Sequence, residues 1–220
     1  MNYTELVAAV STYTENTFLT TQMNTFIKQA EQRIYNSVQF PSLRKNVTGT
    51  VTASNKYLSC PDDYLATYSL AVFPVGGGDY TFLLNKDVNF IREAYPNASS
   101  TGLPKYYALF GPTTNAGALT NELSFILGPT PAVTYSAELH YFYYPESITT
   151  AVTTWLGDNF DTVLLYGALV EAYTYMKGEA DIIALYDGKY KEALGLAKRL
   201  GDGMERQDAY RSGQVRIPVT

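Results

Sequence analysis

The chain has 220 residues, 46% of them hydrophobic and 17% charged, with a formal net charge of -5 at pH 7. That length suits one or two domains with a sizeable core, and the acidic balance argues against a protein whose main task is gripping nucleic acid, which needs Lys and Arg to displace counterions. The 1 cysteine, Cys60, excludes an intrachain disulfide and a cysteine-rich metal cluster.

Along the chain, Leu6, Val7, Ala9, Val10 and Tyr13 have helical spacing and predict a first helix over residues 2–13. A stronger helix is predicted over residues 21–38, where Met23, Phe26, Ile27, Ala30 and Ile34 form one apolar stripe with Lys28, Gln29, Glu31 and Gln32 largely off it. Thr20 or Thr21 is the expected cap and Pro41 the expected stop. The stripe needs a partner surface, and the first helix is the nearest in sequence. From Val47 the period becomes two: Val47, Gly49, Val51 and Ala53 alternate with threonines, as in a half-buried strand. Further strands are predicted at residues 57–60, 65–75, 80–84, 106–110, 122–127 and 133–144, with a hairpin at Gly76-Gly77-Gly78-Asp79. A short helix is expected over residues 87–95. Frequent turn signals between short strands suggest a small sandwich or a partly open barrel.

The helical period returns after Thr154. One helix is expected from Asn159 or Asp161 to about Lys177, with Phe160, Val163, Leu164, Gly167, Ala168, Glu171 and Tyr175 as its stripe. Another is expected over residues 179–204, with Ile182, Leu185, Tyr186, Tyr190, Ala193, Leu194, Ala197 and Leu200 as its apolar side and Gly201-Asp-Gly203 as its end. The remainder carries too little apolar content to fold alone. The predicted fold class is therefore α+β: a four-helix bundle from the N- and C-terminal helices with an inserted antiparallel β sandwich or barrel-like domain. The expected divisions are residues 1–44 and 148–205 for the bundle, 45–147 for the β domain and 206–220 for a flexible C-terminal tail.

The residues offer little chemistry. His140 is the only histidine, in a predicted strand, so any His-dependent triad would have to use it. Asp62-Asp63 follows a proline and suits a turn. Asp158 and Asp161 precede a helix, where negative charge is favoured. Neither pair has the number of oxygen ligands that Mg²⁺ or Ca²⁺ takes. The three glycines lack the Gly-Lys-Ser/Thr of a phosphate loop, and Glu138, Glu146 and Glu171 form no recognisable acid–base pair. No cofactor, metal or catalytic site is expected, and the chain is expected not to be an enzyme. The N-terminal residues show no signal-peptide pattern, and no run approaches the ~18 apolar residues of a membrane span. The 20 tyrosines against 1 tryptophan fit either β-strands or surfaces that become interfaces.

Several phrases, in order, resemble the tailed-phage head-to-tail adaptor (connector) family that contains tail tubular protein A of short-tailed phages. They include Phe26-Ile-Lys-Gln-Ala-Glu-Gln-Arg-Ile34, Cys60-Pro-Asp-Asp-Tyr-Leu65, Gly102-Leu-Pro-Lys-Tyr-Tyr-Ala108, Leu139-His-Tyr-Phe-Tyr-Tyr-Pro145, Trp155-Leu-Gly-Asp-Asn-Phe160 and Leu165-Tyr-Gly-Ala-Leu-Val-Glu-Ala172. The resemblance implies a structural virion protein, made in the host cytoplasm and placed at the head–tail junction. It implies a ring of copies, a dodecamer by analogy, that joins the portal to a tail nozzle or tube protein and extends the DNA channel. DNA would pass through the lumen without sequence-specific binding, and no membrane would be involved. On the same analogy Arg206, Tyr210, Arg211 and Arg216 are assigned to portal or neighbour contacts. The alternatives are another ring-forming tail or head-completion protein, or a carbohydrate-binding tail module.

Overall fold

The computed structural model describes residues 1–97, 99–111, 113–115, 118–121 and 123–211. The fold is α+β. In chain order the first elements are α1 (Tyr3–Thr14), α2 (Thr20–Ser37), a 3-10 turn (Pro41–Leu43), β1 (Arg44–Val51), β2 (Tyr57–Ser59), β3 (Ala66–Pro74), β4 (Thr81–Phe82), β5 (Leu84–Asn85) and α3 (Val88–Ala94). There follow β6 (Thr101–Gly102), β7 (Tyr106–Phe110), β8 (Thr113–Asn115), β9 (Ala118–Asn121), β10 (Ser124–Gly128), β11 (Thr130–Pro131) and β12 (Tyr135–Phe142). The last are α4 (Ile148–Ala151), α5 (Trp155–Asn159), α6 (Asp161–Tyr175) and α7 (Ala180–Arg211). Two compact units result, one of Met1–Leu43 with the chain from Tyr144 onward, the other of Arg44–Tyr143.

In the helical unit, α1 starts with a reciprocal cap. The Asn2 side chain accepts from the Glu5 N–H, and the Glu5 carboxylate accepts from the Asn2 N–H, both at 2.9 Å. The start of α2 differs from expectation, because neither Thr20 nor Thr21 caps it. Leu19 is the extended residue before the helix, and its N–H donates to the Gln22 side chain at 3.1 Å. The α2 stripe is buried at Met23, Phe26, Ile27, Ala30 and Ile34, but its main partner is α6, not α1. Gly167 of α6 explains the preference. A Cβ at that position would sit 3.1 Å from the Ala30 Cβ and 3.3 Å from a ring carbon of Tyr190, so the missing side chain lets α2 and α7 come close to the α6 backbone.

Helix α6 packs against α1, α2 and α7. Burial therefore extends beyond one stripe to Leu165, Leu169, Val170 and Ala172, as for a helix covered on several sides. Helix α7 runs through Gly201-Asp-Gly203 to Arg211, past the expected end at Met204 and into the stretch expected to be a flexible tail. Gly201 is a packing residue here: it is buried, and a Cβ on it would lie 3.0 Å from the Gln39 carbonyl oxygen. Beyond it, Glu205 to Arg211 contains no glycine or proline and is dominated by residues with fair helix propensity. Tyr190 and Ala197 face the core, whereas Leu185 and Leu200, expected on the apolar side, are exposed.

In the β unit, one sheet has the order β1-β12-β3-β4 and another β2-β10-β7-β5. Both contribute to a single core that includes Val51, Leu70, Val72, Tyr107, Phe125, Leu127, Leu139 and Tyr141. The first sheet is antiparallel throughout. The second is mixed, because β5 pairs with β7 in parallel, and β11 with β6 forms another parallel pair. The antiparallel expectation thus holds only in part. Each parallel pair involves at least one strand of only two residues, β5 in the first and both β6 and β11 in the second, too short for sequence periodicity to reveal. Among the described residues no sheet closes into a barrel. The predicted hairpin joins β3 to β4, with Gly76, Gly77 and Gly78 at φ of 96°, 106° and 144°, values that favour glycine. Helix α3 covers the second sheet away from the main core, packing Ile91 with Ala108 and Ile126.

Candidate assembly surfaces

The residues with catalytic potential sit apart and are engaged locally. On β12, His140 Nε2 lies 2.8 Å from a Glu138 carboxylate oxygen on the exposed side of the first sheet. Glu138 is held below the ordinary carboxylate pKa by hydrogen bonds from His140 and then Tyr80. This cluster faces a shallow depression of about 330 Å³ that also includes Ser69, Ala71 and Phe82. Glu146 and Glu171 belong to the other unit, so the scattered glutamates form no acid–base pair with Glu138 inside one unit. Among the described residues, no three His, Cys, Asp or Glu side chains are grouped to hold a metal ion.

Asp63 is held by two donors. Its two oxygens accept from Lys45 Nζ and the Tyr141 hydroxyl, each at 2.7 Å. Burial works against its charge, but these hydrogen bonds together hold its carboxyl below the usual range. They give the buried Tyr141 a polar anchor at the core's edge. Cys60 is half-buried, and burial pushes its thiol up to about 12. Such a thiol is a small apolar side chain and a poor nucleophile at neutral pH. Asp158 lies in the first turn of α5 and Asp161 opens α6, matching helix-start electrostatics.

Two polar features of the helical unit escaped sequence reasoning. Glu31, read as lying off the apolar stripe, is only 3% exposed. Its carboxylate accepts from the Ile148 N–H at 2.9 Å and from Ser147, and burial raises its pKa in spite of these bonds. It therefore ties the middle of α2 to the start of α4. Arg33 donates to Glu171 of α6 and lies over the Tyr190 ring at 5.6 Å, joining α2, α6 and α7. The only sequence signal for either was position: Glu31 directly follows a buried alanine, and Arg33 directly precedes a buried isoleucine.

Both units expose large apolar side chains. Helix α7 presents Leu185, Leu196 and Leu200 at 56%, 62% and 51% exposure, and no atom lies within 4 Å of a Cβ built at Gly188 or Gly195. Of the residues assigned to portal or neighbour contacts, Arg206, Tyr210 and Arg211 occupy the last turns of α7. Positions 206 and 210 are about one turn apart on the same face, with 211 further round. Arg216 lies outside the described residues. In the β unit Tyr68, Tyr80 and Phe82 are exposed. The Tyr80 ring packs on Phe73 with centroids 4.5 Å apart, and Tyr68 meets Phe142 edge-on at 73°. No helix among the described residues is long and apolar enough to cross a membrane.

Comparison with known families gives a match to the model described as SU10 adaptor protein, over residues 1–218. No curated protein matches the chain.

Proposed function

We propose, on the premise that this chain belongs to the SU10 adaptor protein family, that its copies form a ring between portal and tail. A phage head-to-tail adaptor is a structural protein of the virion, joining the portal to the tail, and that is the role of this chain. The observation that carries the reading is the family match along nearly the whole chain, residues 1–218. It covers both units, so the role belongs to helices and strands together.

The finer picture is a dodecamer, made in the host cytoplasm, with the nearer likeness to tail tubular protein A. Its helical unit acts as a four-helix bundle around α6, and its β unit as an inserted sandwich with two sheets over one core. The packing of α1, α2 and α7 on α6 and the shared β core support this description. Ring contacts draw on the exposed leucines of α7. Arg206, Tyr210, Arg211 and Arg216 reach the portal or a neighbouring copy, while the β unit meets the nozzle or tube protein. The protein acts mechanically and catalyses nothing. Its net charge of -5 favours a lumen through which DNA slides, since like charges repel.

The test is to mix the purified chain with its portal and measure the mass and symmetry of the product, with a chain cut after Glu205 alongside. A symmetric ring added to the portal by the full chain, and weak addition by the cut chain, is the expected result. Failure of both chains to bind the portal would remove the adaptor reading.

A further inference from the structure

Among the described residues, the β unit has an open side between β1 and β2. Strands β1 and β2 each end their sheet. Between them lies a groove of about 270 Å³, lined by Val47, Gly49, Leu58, Cys60, Ala137 and Leu139 among others, none of them charged. Ala137 and Leu139 belong to the main core, so the groove opens onto core surface. Gly49 pairs with Ala137, and no atom lies within 4 Å of a Cβ built there, so this position is left empty. Val47 beside it is 37% exposed.

An uncovered edge strand is a liability, because its free N–H and C=O groups accept another strand. Strand β1 spans Arg44–Val51, with residues 45–50 exposed and no proline. Among the described residues no strand pairs with its outer edge. Its lysine, the kind of residue that often guards such an edge, is engaged elsewhere, since Lys45 Nζ bonds Asp63 at 2.7 Å. The edge is thus built to be covered by an extended segment that places an apolar side chain in the groove.

The sequence contains such a segment outside the described residues. In Gln214-Val-Arg-Ile-Pro-Val-Thr220, Val215, Ile217 and Val219 alternate with Gln214, Arg216, Pro218 and Thr220, the two-residue period of a half-buried strand. Pro218 lacks an N–H, which is tolerated in a strand that is outermost in its sheet. We infer that the β1 edge and its groove receive residues 214–220 of a second copy by strand addition, with Ile217 or a neighbouring valine in the groove. Main-chain hydrogen bonds would supply affinity and the alternate apolar side chains would supply register. The inference rests on the ring reading, which sets copies side by side.

The test uses the full chain assembled on its portal. In a Cys60→Ser background, Val47→Cys is combined in turn with Val215→Cys, Ile217→Cys or Val219→Cys, and the assemblies are oxidised and run on non-reducing gels. A head-to-tail contact gives a covalent ladder extending past dimers for at least one pair. Gly49→Leu, which fills the empty position, should abolish the ladder while the ring on the portal persists. Links confined to single chains would overturn the second-copy donor. So would dimers alone, which mean that two β1 edges or two C-terminal segments meet. Ring formation on the portal without any link would overturn the inference and leave the adaptor reading intact. Absence of any ring would remove both.

Discussion

Glu31 gives the sharpest test of the helical unit. Its carboxylate is 3% exposed and accepts from the Ile148 N–H at 2.9 Å. Glu31→Ala leaves that N–H without its partner in a dry place, at ~1–3 kcal/mol, and adds lost packing. A total near 3 kcal/mol is expected. Glu31→Gln keeps an acceptor oxygen and removes the buried charge. Because burial raises the Glu31 pKa, the folded state holds its proton to higher pH than the unfolded state does. Stability therefore falls as pH rises from the unfolded value, near 4.5, through the folded one, and then levels. The amide variant lacks this loss, so it should gain on wild type between about pH 4, below the unfolded value, and pH 8. Urea unfolding followed by circular dichroism at both pH values measures all three chains. The reasoning fails if Glu31→Ala lies within ~0.5 kcal/mol of wild type, the range of an ordinary surface change. It also fails if Glu31→Gln costs as much as Glu31→Ala.

Gly167→Val puts a branched side chain where a Cβ alone already comes within 3.1 Å of Ala30. It should cost ~2 kcal/mol or more by overpacking, read as a lower Tm, with Gly167→Ala milder. The Cys60 thiol, pushed up to about 12 from 9.0 by burial, should be labelled by maleimide at pH 8 far more slowly in the folded chain than in urea. The folded state favours the neutral thiol, so this group's contribution to stability should decline as pH rises through the unfolded value. Asp63→Asn should cost under ~1 kcal/mol, because the Lys45–Asp63 pair is largely solvated. The difference from wild type should shrink as pH falls from the unfolded value, near 3.8, through the lower folded one. Denaturation at pH 7 and pH 3 checks this.

Much of the fold was legible where one face of an element meets the core. The α2 stripe is buried at Met23, Phe26, Ile27, Ala30 and Ile34, and α3 falls where its spacing indicated. Reading failed where a residue serves a contact distant in sequence. Helix α6 is covered by α1, α2 and α7 and also meets α5, so its single-stripe description was too narrow. Gly201 looked like a stop but is a close-packing residue against Gln39. Glu31 looked like surface because charge usually means surface, and its partner is 117 residues away. Val47 has the parity of a core residue yet is 37% exposed, since the pattern gives the face of a strand and not its place at the sheet's rim. The exposed apolar face of α7 was less legible than the fold. The spacing that put Leu185 and Leu200 on a buried side is the same as that of a helix awaiting a partner.

Strand β1 begins the β unit at Arg44 and β12 closes it near Phe142, and these two residues are direct partners across the ladder. The chain thus enters and leaves through neighbouring strands, ~5 Å apart. The unit behaves as a cassette held by one two-ply handle. A short linker from Leu43 to Tyr144 spans its excision, and any domain whose ends form a similar hydrogen-bonded pair fits the same socket.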